Sequence, residues 1–265
     1  MRRLRVGVVA YLNTKPLSWA LEAGLLPEIE VVGDVPSALG GLVQAGELDT
    51  ALLSAILATG DHGLHVIPGT GCVAAHGPIQ SVQLFCRVPL AHVRSVALDT
   101  SSLCAAGLTR VLFAQCWQIE PTWHQAAPDL PAMLAAHDAA LVIGDPGLAR
   151  YLSPGAPAAE IIDLGQAWYE WTGLPFVFAA WLTKRPLDSL AELVAVLQRA
   201  RQLSSTRLAT IAAEEARRLG LPEEFCHTYL TKVVHYEFGP AEAEGLAEFG
   251  DCLARLPAPS WEVVP

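Results

Sequence analysis

The sequence predicts an α/β protein whose two lobes hinge around a cleft. The first observation is an alternation of short apolar strands and amphipathic helices that starts at Val6, and the second is another such alternation starting near Arg94. The third is the run at residues 173–181, which is apolar on both faces, as a central strand should be. Because this late strand resumes the first alternation, the chain is expected to cross between the lobes twice, near residues 86–89 and 173–175.

These crossings define the expected domain boundaries. Residues 1–86 and 176–265 form lobe 1, which is discontinuous, and residues 87–175 form lobe 2. With 265 residues, 52% of them apolar, the chain can bury one large core or two modest ones.

Composition excludes several classes of function. The net charge of −10 argues against binding to nucleic acid or to an anionic membrane surface. No run approaches the roughly 18 apolar residues of a membrane span, and the opening Met-Arg-Arg-Leu-Arg is a poor signal peptide. We therefore expect a cytoplasmic protein.

The six cysteines and eight histidines do not form a metal-binding pattern. The cysteines are scattered without a Cys-x-x-Cys pair, which is typical of buried thiols in a reducing compartment. Cys72 and His76 could share an ion, but no second pair completes a set of four ligands, so we expect no metal.

The first strand and helix contain two candidate site residues. A strand at residues 6–10 is followed by Tyr11 and Asn13, and Lys15 and Pro16 then open a helix. Such a junction presents free backbone N–H groups, and ligands of α/β proteins bind at these positions. Asn13 either caps the helix or offers its amide to a ligand. The long side chain of Lys15 is expected to reach water.

The next elements lead to a polar turn. A strand at residues 28–34, a helix at 35–46 and a strand at 50–54 continue the first alternation. Extended segments follow, and the one at residues 79–85 begins with Gln80 and Ser81, directly after a Gly-Pro turn. Ser81 either binds a ligand, makes a hydrogen bond within the turn, or is simply exposed to solvent. The Gly-x-Gly-x-x-Ala string at residues 69–74 is followed by extended chain, so it is not a dinucleotide loop.

The second alternation contains a group of hydroxyls. A strand at residues 95–98 leads through Thr100, Ser101 and Ser102 into a helix at residues 103–116. Three hydroxyls at a helix N-terminus can hold a carboxylate or phosphate, although a single one would suffice as an N-cap.

The remaining elements contain one candidate residue. Further strands are predicted at residues 119–123, 139–143 and 161–164, helices at 128–136 and 166–172, and mostly helical chain from Asp188 onward, interrupted by an extended stretch at 233–238. Asp145, with Pro146 behind it, is interpreted as an N-cap, because a carboxylate there would repel an anionic ligand.

The usual catalytic motifs are absent from the sequence. It contains no Gly-x-Ser-x-Gly elbow, P-loop or His-Glu-x-x-His motif. A cleft lined by amide, hydroxyl and N–H groups in an acidic protein is a binding site for a small carboxylate.

Six motifs, in order along most of the chain, carry a resemblance to a known family. They are YLNTKPL at 11–17, GPIQSVQL at 77–84, LDTSS at 98–102, ALVIGD at 140–145, DLG at 163–165 and WTGLPFVF at 171–178. Together they resemble the chorismate dehydratases of the futalosine route to menaquinone. The resemblance implies a type 2 periplasmic-binding-protein-like fold that acts as a cytoplasmic lyase without a cofactor. Its reaction converts chorismate to 3-[(1-carboxyvinyl)oxy]benzoate and water.

The resemblance also implies the site residues. The catalytic pair would be Asn13 and Ser81, and the substrate-binding residues would be Tyr11, Thr100, Ser101, Ser102 and Asp145. The side-chain carboxylate of chorismate would be the base, with Lys15 as the alternative.

Two other functions are compatible with this sequence. One is a non-catalytic protein that binds a small carboxylate, which the fold alone would favour. The other is the related 1,4-dihydroxy-6-naphthoate synthase of the same pathway, although the motifs at residues 11–13 and 171–173 match the dehydratase better.

Overall fold

The structure is a computed structural model that describes residues 3–60, 62–99, 101–153 and 158–257. These residues form two compact units. The first unit contains the described residues up to Ala74 together with Val177–Ala243. The second unit contains Ala75–Phe176 and the described residues from Glu244 onward.

The described strands and helices alternate over most of the chain. The strands are β1 (Leu4–Val8), β2 (Ile29–Gly33), β3 (Thr50–Ser54), β4 (His65–Val66), β5 (Cys72–Ala75), β6 (Val82–Cys86), β7 (Ser95–Asp99), β8 (Thr122–Ala126), β9 (Ala139–Ile143), β10 (Glu160–Asp163) and β11 (Phe176–Thr183). The α-helices are α1 (Lys15–Glu22), α2 (Pro36–Gln44), α3 (Leu103–Val111), α4 (Leu130–Ala136), α5 (Gly144–Leu152), α6 (Leu164–Thr172), α7 (Ala191–Ser205), α8 (Leu208–Leu219), α9 (Glu223–Thr228) and α10 (Pro240–Ala254). Short 3-10 helices occur at Leu12–Thr14, Ala55–Ala58, Leu90–His92 and Leu187–Ser189, and π-helical turns extend α3 and α9 at Leu112–Cys116 and Tyr229–Val233.

The first unit is built on a sheet in the order β2-β1-β3-β11-β4, with β5 also paired to β11. The strands β2, β1 and β3 are parallel, and β11 returns antiparallel to β3. Helix α1 packs against α7, where the Ser204 hydroxyl accepts a hydrogen bond from the Ala20 N–H at 3.1 Å. Because β1 and β3 are parallel, the chain leaves both strands at the same edge of this sheet.

The second unit has its own sheet, in the order β10-β6-β9-β7-β8. Strand β7 is parallel to β8 and β9, whereas β6 is antiparallel to β9 and β10. One part of its core lies between this sheet and α4, where Phe85, Leu130 and Met133 are buried. The indole of Trp168 is fully buried beside the rings of Phe176 and Phe249.

The predicted alternation of strands and helices is present, with local differences. Strand β8, at Thr122–Ala126, begins three residues later than the strand expected at residues 119–123. The expected extended stretch at 233–238 contributes an isolated bridge between Ala74 and His235.

The units divide at positions that differ from the expected lobe boundaries. Strand β6 belongs to the second unit because both its neighbours, β9 and β10, lie there. Most of α10 belongs there too, since Gly245 packs so closely against the Pro175 carbonyl that an added Cβ would lie 2.1 Å from the oxygen.

All six cysteines are free thiols, and five of them are buried, while Cys116 is partly exposed. Burial raises the pKa of the Cys86 thiol to about 12 and that of Cys252 to about 11. No described helix is both long enough and apolar enough to cross a bilayer.

Gly7 allows β1 and β3 to pack closely, so we expect Gly7→Ala to destabilise the first unit. An added Cβ would lie 2.6 Å from the Ala51 Cβ and 3.0 Å from side-chain atoms of Leu39 and Leu48. The free energy of unfolding should fall by about 2 kcal/mol because the core is overpacked. Gly41→Ala is the control: an added Cβ meets nothing within 4 Å in helix α2, so this variant should gain about 0.5–1 kcal/mol. Urea unfolding followed by circular dichroism measures both, and an unchanged Gly7→Ala midpoint would contradict the packing argument.

Candidate functional site

The turn after β1 holds Asn13 in a fixed backbone. The Thr14 hydroxyl lies 2.8 Å from the carbonyl oxygens of both Val9 and Tyr11 and shares its single proton between them, which closes the turn around the 3-10 helix. Thr14 is the N-cap residue of α1, and no side chain caps that helix. The structure therefore excludes the interpretation of Asn13 as a helix cap. Asn13 and Tyr11 are both half-buried, and the Asn13 side chain makes no hydrogen bond to any other described residue.

Lys15 is buried, so the expectation that its side chain reaches water is wrong. Only 6% of the residue is exposed, and its ammonium lies 2.5 Å from a Glu22 oxygen and 3.8 Å from a Glu215 oxygen. Ser18 donates to the other Glu22 oxygen at 2.6 Å, and Arg218 donates to the second Glu215 oxygen at 2.7 Å. Helix α8, about 200 residues away in the sequence, supplies Glu215 and Arg218 and thereby covers this lysine.

Four of the predicted site residues come together at one edge of the second sheet. Antiparallel β6 begins where β9 ends, because Val82 pairs with Ile143. Parallel β7 ends at this edge as well. We call it the second-unit edge. It brings together the predicted residues Ser81, Ser101, Ser102 and Asp145.

The buried carboxylate of Asp99 holds the segment after β7 in place through hydrogen bonds. Asp99, which is 1% exposed, accepts hydrogen bonds from the N–H groups of Ser101 at 2.8 Å and Ile143 at 3.3 Å. Ser102 is the N-cap residue of α3, and its hydroxyl oxygen accepts a hydrogen bond from the Ala105 N–H at 3.2 Å. Ser102 thus fulfils the N-cap role, for which a single hydroxyl suffices. The Ser101 hydroxyl makes no hydrogen bond to any other described residue. The predicted site residue Thr100 lies outside the described residues.

Ser81 is fully buried and follows a residue with a strained backbone. Gln80 has a φ of 64°, in the left-handed region that a non-glycine residue rarely adopts. Asp163, the last residue of β10, accepts hydrogen bonds from the N–H groups of Ile79 and Gln80 and from the Gln83 side chain.

Asp163 also connects this turn to a helix. Its carboxylate is the N-cap of α6 and accepts from the N–H groups of Gly165 at 3.0 Å and Gln166 at 3.1 Å. Burial raises the pKa of the Asp163 carboxyl, and the N–H donors around it oppose that shift because they favour the ionised form.

Asp145 is the second residue of α5, so its interpretation as an N-cap is wrong. Ile143 occupies the N-cap position, and Gly144 begins the helix with a φ of 64°. The half-buried Asp145 lies in the first turn, where a carboxylate is favoured by the helix dipole. Gly147, two residues further along α5, packs against the Ser81 carbonyl, whose oxygen would lie 2.3 Å from an added Cβ.

Sequence reasoning did not select Asp163 and Asp99 as site residues. Asp163 stands three residues before Gln166, the spacing of a helix capping box, and this signal identifies it as an N-cap. The spacing of Asp163 and Gln166 does not predict the contacts of Asp163 with residues about 80 positions earlier in the chain. Asp99 precedes the hydroxyl run, but only the pairing of β7 with β9 brings it to Ile143.

Two sequence comparisons decide the family. The sequence model of a family described as menaquinone biosynthesis matches residues 4–255. The chain belongs to this family. It is also 31% identical to the chorismate dehydratase of Thermus thermophilus over 275 aligned positions, which cover 98% of this chain and 99% of that enzyme.

Solved structures at lower identity confirm the fold prediction. Protein AF1704 from Archaeoglobus fulgidus matches with a TM-score of 0.70 at 16% identity, covering 95% of this chain and 96% of that one. The alkanesulfonate-binding protein SsuA from Xanthomonas axonopodis pv. citri matches with a TM-score of 0.66 at 16% identity, covering 97% and 95%. The family member described here therefore has an α/β fold like that of the periplasmic binding proteins.

The buried position of Lys15 predicts a large effect on stability. Lys15→Met leaves Glu22 and Glu215 without their shared ammonium, and we expect the free energy of unfolding to fall by about 3 kcal/mol. Lys232→Met, at an exposed lysine, is the control and should change it by less than about 0.5 kcal/mol. Urea unfolding provides the measurement. Equal stability of the two variants would show that the two carboxylates do not depend on Lys15.

Proposed function

We propose that this protein is a chorismate dehydratase, a carbon–oxygen lyase that removes water from chorismate to give 3-[(1-carboxyvinyl)oxy]benzoate. The observation that carries the proposal is the 31% identity, over nearly the full length of both chains, to an enzyme of that name. Membership of a menaquinone biosynthesis family agrees with it, since chorismate is a small cyclohexadiene that this reaction converts to an aromatic ring. As a biosynthetic enzyme with a small-molecule substrate, it would act in the cytoplasm.

The proposed substrate carries two carboxylates, and the second-unit edge offers groups that suit one of them. Ser101 follows a parallel strand and precedes the N-terminus of α3, where backbone N–H groups and the helix dipole favour an anion. Its hydroxyl bonds to no other described residue, which supports a role in binding. We further propose that Thr100 and Ser102 bind the same carboxylate, and that Tyr11 and Asp145 also contribute to substrate binding.

Asn13 and Ser81 are proposed to orient the ring and its leaving hydroxyl. The amide of Asn13 can donate and accept at once, and it bonds to no other described residue. The turn that carries it is fixed by the Thr14 hydroxyl, which lies 2.8 Å from the carbonyl oxygens of Val9 and Tyr11. Such an arrangement favours reaction by holding the substrate in a reactive geometry.

The chemistry requires removal of one proton and one hydroxide. The proton at the carbon bearing the enolpyruvyl ether is acidified by vinylogous conjugation with the ring carboxylate. Departure of the neighbouring hydroxyl then completes a benzene ring, and proton and hydroxide leave together as water. We propose that the side-chain carboxylate of chorismate takes the proton. The burial of Lys15 between Glu22 and Glu215 supports this proposal, because these two carboxylates already engage its amino group.

The proposed reaction is tested by incubating the purified protein with chorismate and separating the products by chromatography. The wild type should form 3-[(1-carboxyvinyl)oxy]benzoate, and Asn13→Ala and Ser81→Ala should each reduce kcat by about 100-fold or more. Ser205→Ala, at an exposed serine whose hydroxyl bonds to the Gln202 carbonyl, is the matched control and should keep full activity. Binding of chorismate without turnover would contradict the dehydratase and indicate a carboxylate-binding protein.

The role of Asn13 can be tested directly, because it is the only asparagine in the sequence. Labelling with ¹⁵N-asparagine therefore gives one side-chain NH₂ signal in the NMR spectrum. Adding 3-[(1-carboxyvinyl)oxy]benzoate, which is not consumed, should shift this signal, whereas citrate at the same concentration should not. An unmoved signal at saturating product would remove Asn13 from the proposed site.

A further inference from the structure

We propose that Asp163 is a positioning residue for Ser81, and that it acts by holding Gln80 in its left-handed conformation. The inference rests on the proposed function for its catalytic part. Its structural part concerns one turn, residues 77–81, and can be measured without any substrate.

The contacts of Asp163 converge on that turn. One carboxylate oxygen accepts from the Gln80 N–H at 2.6 Å and from the Gln83 amide at 2.7 Å. Both oxygens lie 3.1 Å from the Ile79 nitrogen. An ionised carboxylate accepts hydrogen bonds strongly, and burial strengthens these bonds further.

The left-handed backbone of Gln80 needs such support. A side chain at positive φ is strained, and strained residues persist only where their surroundings hold them in place. Asp163 binds the N–H of Gln80 itself, so it acts on the strained residue directly. Ser81 comes next in the chain, and its direction follows from the backbone of Gln80.

The turn is closed from its other sides by two glycines. An added Cβ at Gly165 would lie 2.6 Å from the Gly77 carbonyl oxygen, and one at Gly147 would lie 2.3 Å from the Ser81 carbonyl oxygen. Because α6 and α5 each pack closely against this turn, they leave the Ser81 backbone little room to move. Within that space, the hydrogen bonds of Asp163 hold the backbone in the observed conformation.

A substitution cycle tests the proposal. Asp163→Asn replaces one acceptor oxygen by an NH₂ group that faces N–H donors, and kcat/KM should fall by about 100-fold. Gln80→Gly alone should stay near wild type, since glycine adopts positive φ without strain. The double variant should regain at least about tenfold of the lost activity. Asp129→Asn, which changes the N-cap of α4, is the matched control and should leave kcat/KM unchanged.

Hydrogen exchange measured by mass spectrometry provides the readout that needs no substrate. Exchange at the amides of residues 79–81 should rise in Asp163→Asn and fall back in the double variant, while Asp129→Asn leaves it unchanged. If Asp163 only caps α6, the double variant will be no better than Asp163→Asn in either measurement, and the proposal is overturned. If the wild type lacks dehydratase activity, the proposed function fails, yet the exchange pattern still decides whether Asp163 holds the turn.

Discussion

The antiparallel pairing of β6 with β9 determines where the polar residues of the second unit lie. With Val82 opposite Ile143, the beginning of β6 meets the ends of β7 and β9 at one edge. A shift of this register by one residue would turn every β6 side chain to the opposite face of the sheet. The buried β6 side chains resist such a shift, so the hydrophobic core itself keeps Ser81 at the edge.

Two carboxylates then hold the segments that strand pairing brings together. Asp99, which is buried, joins the ends of β7 and β9, and Asp163, which is half-buried, joins the start of β6 to α6. In both cases the carboxylate accepts hydrogen bonds from backbone N–H groups, which would be costly to leave without partners away from water.

The strands, helices and polar junctions could be predicted from local sequence because apolar runs and turn residues are local signals. The contacts that those elements make with distant parts of the chain could not be predicted in this way. Strand β6 was expected in the first lobe, since an apolar run does not specify which sheet it joins. Lys15 was expected in water, since the helix that covers it lies about 200 residues away. Asp163 was missed for the same reason, because a capping signal identifies a local role alone.

The stabilising contribution of the charged cluster formed by Lys15, Glu22, Glu215 and Arg218 depends on temperature. Since Lys15 and Glu215 are largely shielded from solvent, dissolved salt screens their attraction little. The hydration that opposes the burial of charges becomes less favourable as temperature rises, whereas hydrophobic stabilisation levels off. The cluster therefore contributes more to the anchoring of α1 on α8 as the protein is warmed, and the turn that carries Asn13 is attached to the end of that helix.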